Sequence, residues 1–169
     1  MDKKEARTIA LRDRKSFDNV ERSKKVLDYI ISNKLLDKYD NIAIYYPIGK
    51  EIDIMDLVKV YKDKNFYLPK TLDEIEFVKY KLTDELISGP FNTKEPVGKK
   101  VNRDLIDCFI IPCVAISKNN QRIGYGKGYY DRYLKDYKGH KIGLCYKEHG
   151  NLDLVLDSFD IYLDEKILG

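Results

Sequence analysis

The amino-acid sequence predicts an α/β layered fold with a mostly parallel sheet. Three observations carry that expectation. Segments with helical periodicity alternate along the chain with short segments rich in β-formers. One of the latter, residues 107–116 (DCFIIPCVAI), is apolar almost throughout, as a strand buried on both faces must be. No internal repeat or low-complexity linker divides the chain, and 169 residues suit one domain, 1–169, with a core of its own.

Taken in order, residues 3–15 read as a short basic helix and 18–36 as a second, with Val20, Leu27, Ile30, Ile31 and Leu35 along one stripe. NIAIYYP, 41–47, alternates and stops at proline, as a strand does. DIMDLVKVY, 53–61, spaces Ile54, Leu57, Val58 and Tyr61 as one helical face behind Asp53 as N-cap. Residues 65–69 form a strand closed by Pro69, and 74–80 alternate again. Residues 88–103 are rich in glycine, proline and charge and read as loop. The apolar run 107–116 is interrupted by Pro112. Tyr130, Tyr133, Leu134 and Tyr137 mark a helix; 140–146 and 159–168 close the chain in β-type pattern.

Composition narrows the function. The chain is 43% hydrophobic and 35% charged, which makes it globular. Thirty-one basic residues against 28 acidic ones leave a net charge of +3, too balanced to announce nucleic-acid binding, so any basic site is local. No apolar run approaches a membrane span and the N-terminus has no leader-like apolar stretch, so a cytoplasmic protein is expected. Cys108, Cys113 and Cys145 are odd in number and show no C-x-x-C pair, which argues against a disulfide framework or a zinc site. His140 and His149 are too few for multi-histidine metal sites.

The stretch RIGYGKGYYDRYL, 122–134, is the densest in chemistry. Gly124, Gly126 and Gly128 let backbone approach a ligand and turn N–H groups toward it. Arg122 and Lys127 add charge suited to phosphate. Asp131 falls in the first helical turn, where an acid caps well but repels a neighbouring phosphate; Mg2+ between the two removes the conflict. The spacing is neither that of a Walker A loop nor that of a dinucleotide fingerprint. From the residues alone, two readings stand: a polyphosphate site with Mg2+, and a tight turn leading into a tyrosine-rich core helix.

The same stretch resembles the signature of the 5-formyltetrahydrofolate cyclo-ligase (5,10-methenyltetrahydrofolate synthetase) family. YYPIGKEID (45–53), YLPK (67–70), GPFNTKEP (89–96) and the 107–116 run resemble further motifs of that family in the same order, so the resemblance spans nearly the whole chain. It implies a three-layer α/β/α fold like that of sugar-phosphate isomerases and CoA-transferases. It also implies an enzyme that uses ATP and Mg2+ to convert 5-formyltetrahydrofolate to 5,10-methenyltetrahydrofolate. Phosphorylation of the formyl oxygen would create a leaving group, and N10 would close the ring. Such chemistry needs positioning and charge stabilisation more than a protein nucleophile.

Residue by residue, the resemblance implies ATP binding by Lys3, Arg7 and the loop Arg122, Gly124, Tyr125, Gly126, Lys127, Gly128, Tyr129 and Tyr130, with Arg122 and Lys127 stabilising charge in catalysis. Tyr125 and Tyr129 would also meet the folate, together with Tyr46 and Glu51. Asp131 and Asp160 match metal-ligand positions, with Asp157 and Asp164 as neighbouring alternatives to Asp160. Departures exist: His149 stands where glutamine is expected at the pterin or formyl group, Cys113 replaces a glycine, and Lys70 stands where arginine is common. The expected partners are the two small molecules, with no nucleic acid and no membrane, on a monomer. A relative that kept the pocket but changed reaction is the competing reading, and an RNA binder using tyrosines as stacking platforms is a third.

Overall fold

Aspartates start the first two helices. Asp2 accepts the Glu5 N–H at 2.8 Å and opens α1 (Lys3–Asp13); Asp18 accepts the Glu21 N–H at 3.1 Å and opens α2 (Asn19–Ser32). The computed structural model describes residues 1–154 and 157–169 and ends both helices sooner than their periodicity predicts. α1 tightens into a 3-10 turn at Arg14–Ser16, and α2 gives way to turns in which Lys34 takes φ +53°. Val20, expected on the apolar stripe, is 81% exposed; the buried positions of α2 are Ser23, Val26 and Ile30, flanked by Leu27 and Ile31. Ser23 is tolerated there because its hydroxyl accepts the Asp53 N–H at 2.9 Å.

The strands in chain order are β1 (Asn41–Ala43), β2 (Asn65–Thr71), β3 (Ile75–Tyr80), β4 (Leu86–Ser88), β5 (Lys94–Pro96), β6 (Cys108–Pro112), β7 (Ala115–Ile116), β8 (Arg122–Ile123), β9 (His140–Cys145) and β10 (Glu165–Leu168). Two short helices, α3 (Leu57–Val60) and α4 (Tyr129–Tyr133), complete the set. Six strands form the main sheet in the order β10–β9–β6–β1–β2–β3, parallel except for the β2–β3 pair. The mostly parallel sheet is as expected. β4 with β5 and β7 with β8 form two small hairpin sheets, the first overlapping the start of the 88–103 segment expected to be loop, where β5 falls.

Two prolines sit inside strands without harm. The Tyr67 carbonyl bonds toward the β1 side, to the Ile44 N–H at 2.9 Å, so by strand alternation residue 69 faces that side too, where β1 has ended. A missing N–H at Pro69 therefore breaks no ladder, and β2 runs on to Thr71 instead of closing there. Cys113 bonds to β9 through Leu144 O at 3.0 Å, so Pro112 likewise faces the vacated β1 side. The helix expected at 53–61 contracts to α3, because the Asp53 carboxylate accepts the Met55 N–H at 2.9 Å in a local turn and caps no helix.

The strands bury both faces in alternation. Ile42, Phe66, Leu68, Cys108, Ile110, Ile142 and Leu144 pack with Val26 and Ile30 of α2 and Leu57 of α3. Ala43, Tyr67, Phe77, Phe109, Ile111 and Cys145 pack on the other side with Tyr130, Leu134 and Tyr137. α1 lies elsewhere, its Ala6 and Ala10 against Ala115 and Ile123 of the β7–β8 hairpin. Among the described residues no helix is long and apolar enough to cross a membrane.

Candidate functional site

The chain steps from β1 to β2 on one side and then places β6 on the other side of β1. Such a reversal opens a crevice beyond the carboxyl ends of the strands. A cavity of about 500 Å³ occupies that place. Tyr45, Tyr46, Ile48 and Glu51 reach it from the end of β1, Pro69 and Thr71 from β2, and Pro112 from β6. The glycine loop that follows β8 forms another wall, with Lys3 and Arg7 of α1 beside it.

Arg122 is 7% exposed and fixed on two sides. Its Nε donates to Pro112 O at 2.9 Å, a carbonyl left free where β1 ends, and its guanidinium lies 4.7 Å from the centre of the Tyr130 ring. Gly124 is required beside it: a Cβ there would come within 2.5 Å of Arg122 Nη1. Arg7 donates through Nε to Gly124 O at 2.7 Å, and Gly126, at φ +102°, turns the loop where few side-chain-bearing residues can. Lys127 lies 5.8 Å from the exposed Phe91 ring at the cavity mouth. Among the described residues Arg7, Arg122 and Lys127 have no carboxylate within 4 Å. Lys3 differs: its Nζ lies 2.9 Å from Asp160 Oδ2 and 3.0 Å from Asp157 Oδ2.

The acids are held individually. Asp131 lines the cavity, and its Oδ1 accepts the Ile161 N–H at 3.1 Å. Asp160, next in sequence to that donor, is 4% exposed and is engaged by Lys3 and by the Asp157 N–H. Among the described residues no group of three His, Cys, Asp or Glu side chains converges as a metal cage. Asp131 and Asp160 offer carboxylate oxygens, the donor type that a hard cation such as magnesium takes.

On the opposite wall Glu51 is 6% exposed. Asn19 Nδ2 donates to Glu51 O at 2.9 Å, and the Tyr146 hydroxyl donates to Lys50 O at 2.6 Å, so α2 and the segment after β9 pin this loop. Burial pushes the Glu51 carboxyl up from its ordinary value, against the opposing pull of the Ile48 N–H, Arg14, Tyr125 and Arg122. The Ile48 N–H meets Oε1 at 2.8 Å and the Tyr125 hydroxyl meets Oε2 at 3.2 Å. Burial raises the Tyr125 phenol to about 12.

The expected site residues fall around this cavity: Lys3, Arg7, Tyr46, Glu51, Arg122, Gly124, Tyr125, Gly126, Lys127, Gly128, Tyr129, Tyr130, Asp131 and Asp160 all line it. Tyr130 is also a core residue, buried against Phe77. α4 is only five residues long, so the dipole support expected from a following helix is small. His149 points elsewhere, with Nε2 3.2 Å from Asp13 Oδ2 and its ring over Phe17. Four residues were given no site role from the sequence. Glu95, 4% exposed, and Thr93 reach the cavity from the β4–β5 hairpin, and Phe159 stands beside Lys3. Arg14 lies behind the wall. The K-E-P of 94–96 and the 3, 7, 14 spacing of cations were the available signals.

A family model described as the 5-formyltetrahydrofolate cyclo-ligase family matches residues 2–167. The chain belongs to that family. Among cyclo-ligases, a Mycoplasma pneumoniae protein named 5-formyltetrahydrofolate cyclo-ligase is 34% identical across 97% of this chain and 96% of its own length. The solution structure of Aquifex aeolicus 5,10-methenyltetrahydrofolate synthetase matches with a TM-score of 0.84 at 36% identity, covering 97% of this chain and 88% of that one. The structure of a 5,10-methenyltetrahydrofolate synthetase from Mycoplasma pneumoniae matches with a TM-score of 0.82 at 30% identity, covering 99% and 98%. This is an enzyme family, and its mixed α/β architecture with a mostly parallel central sheet is the one found here.

Proposed function

We propose that this chain converts 5-formyltetrahydrofolate to 5,10-methenyltetrahydrofolate, with MgATP as co-substrate and ADP and phosphate as products. The observation that carries this reading is the convergence of Arg7, Arg122 and Lys127 with the glycine loop on one cavity, with no carboxylate within 4 Å of any of the three among the described residues. Buried Arg122, half-buried Arg7 and exposed Lys127, gathered without counter-charge, favour an anion, and a polyphosphate fits a guanidinium, an ammonium and a glycine-rich backbone together. The names of the similar proteins supply the second substrate.

In this reading the γ-phosphoryl group passes to the formyl oxygen of the folate. N10 then attacks the formyl carbon, N10 loses its proton, and the bond from carbon to the phosphorylated oxygen breaks. Phosphate leaves with that oxygen. Arg122, rigid against Pro112 O and Tyr130, and Lys127 stabilise the charge on the transferring group. Tyr46, Glu51, Tyr125 and Tyr129 hold the folate on the opposite wall. Magnesium supplies charge neutralisation on the phosphates when bound. Asp131 and Asp160 would hold it, with Lys3 exchanging Asp160 for a phosphate oxygen. The test is the ultraviolet absorbance of methenyltetrahydrofolate after mixing protein, 5-formyltetrahydrofolate and MgATP. Product is expected only when ATP and a divalent cation are both present. Equal turnover with EDTA, or with ATP omitted, contradicts the reading.

A further inference from the structure

Behind the folate wall lies a charged residue that touches no ligand space. Arg14, in the 3-10 turn after α1, is 8% exposed and does not line the cavity. Among the described residues it has no carboxylate within 4 Å. A buried guanidinium without a direct counter-charge is costly and calls for a reason. Its Nη2 donates to the Tyr125 hydroxyl oxygen at 2.6 Å, and its Cζ lies 5.5 Å from the centre of the same ring. Tyr125 Oη is in turn 3.2 Å from Glu51 Oε2.

The polarity of this chain of bonds is fixed by chemistry. An arginine can only donate. The Tyr125 oxygen therefore accepts from Arg14, and its single proton turns to Glu51. Glu51 Oε2 must accept it, while Oε1 already accepts the Ile48 N–H at 2.8 Å. Both carboxylate oxygens are thus held as acceptors. Their remaining lone pairs serve the cavity, where they select a ligand group that carries a proton, such as an N–H.

We infer that Arg14 is a positioning residue for the folate site: by donating to Tyr125 it orients the phenol proton onto Glu51 and keeps Glu51 an ionised acceptor. This rests on the reading of Glu51 as a folate contact. The groups facing Glu51 from the packed elements are Arg14 from the 3-10 turn, Tyr125 from the glycine loop, Arg122 from β8, Tyr45 from the end of β1, Tyr130 from α4 and Cys113 from the end of β6. Arg14 and Arg122 are the cations among them. Removing Arg14 leaves burial less opposed, so Glu51 takes up a proton at higher pH.

The test uses Arg14→Met, Arg14→Lys and Tyr125→Phe in the full chain, with melting temperatures alongside. The acid limb of kcat/KM reports the free enzyme. In Arg14→Met it is expected to move up by about one pH unit or more, equivalent to about a tenfold loss below the limb, with recovery at high pH. Arg14→Lys, also a donor only, is expected to restore the wild-type limb. The 13C resonance of the Glu51 carboxyl in ligand-free protein, assigned by its loss in Glu51→Gln, is expected to titrate higher by the same shift. Tyr125→Phe, which breaks the relay without touching Arg14, shifts it in the same direction. Should Arg14→Met fail to fold, Tyr125→Phe decides. An unmoved carboxyl titration, or activity lost equally at every pH, overturns the inference. Absence of turnover in the wild type overturns the cyclo-ligase reading instead, and the carboxyl titration still judges Arg14.

Discussion

Asp131 has two roles that substitution can separate. Its Oδ1 secures the Ile161 N–H, and an asparagine oxygen would do the same. Asp131→Asn is therefore expected to keep the melting temperature. If the acid also faces Mg2+ on the transferred phosphate, turnover falls on the order of 10²-fold, by analogy with loss of one charge-stabilising group. Excess Mg2+ should recover part of it. Near-full activity at low Mg2+ would leave Asp131 as a structural acceptor. Gly124 offers a second check at this scale. Its missing Cβ is the space occupied by the Arg122 guanidinium, which is tied to Pro112 O and cannot swing aside freely. Gly124→Ala is expected to cost about 1–3 kcal/mol of stability and to weaken ATP more than folate. Unchanged nucleotide affinity would show that Arg122 does not meet phosphate. The glycine stretch was legible at residue scale because Gly, Arg, Lys and Asp each imply a chemistry. Arg14 was not, because its role depends on a hydroxyl 111 residues away.

At the scale of elements, α1 delivers cations to the site by its spacing. Lys3 and Arg7, one turn apart, face the cavity, while Ala6 and Ala10, both 1% exposed, let the helix sit close on the β7–β8 hairpin that carries the glycine loop. Ala10→Leu should overfill that contact at about 1–3 kcal/mol, lower the melting temperature by several degrees and reduce ATP affinity through displaced Lys3 and Arg7. ATP affinity unchanged beside a lowered melting temperature would detach α1 from the nucleotide. Element type was readable where the pattern was strong, as in the apolar stripe of α2 and the continuous apolar run of β6. Boundaries were not, because side-chain bonds decided them: the Asp53 turn shortened α3, and Pro69 failed to stop β2 once β1 had ended beside it. The β4–β5 hairpin was hidden by its glycine, proline and charge, yet it brings Glu95 and Thr93 to the cavity.

For the molecule as a whole, the decisive feature is the reversal of strand order at β1 and β6, which no local pattern in the sequence encodes. The alternation of helices and strands gave the class of fold, but strand order depends on contacts among residues far apart in the chain. That order brings the β1 loop with Glu51 to one side of the cavity and the glycine loop with Arg122 to the other. In the proposed reaction the two sides act on one substrate, the phosphate side activating the formyl oxygen that the folate side presents. Labelling that oxygen with 18O tests this transfer. After turnover with unlabelled ATP in unlabelled water, mass spectrometry of the inorganic phosphate should find one 18O atom per phosphate released. Unlabelled phosphate, with the 18O recovered in water, would contradict it.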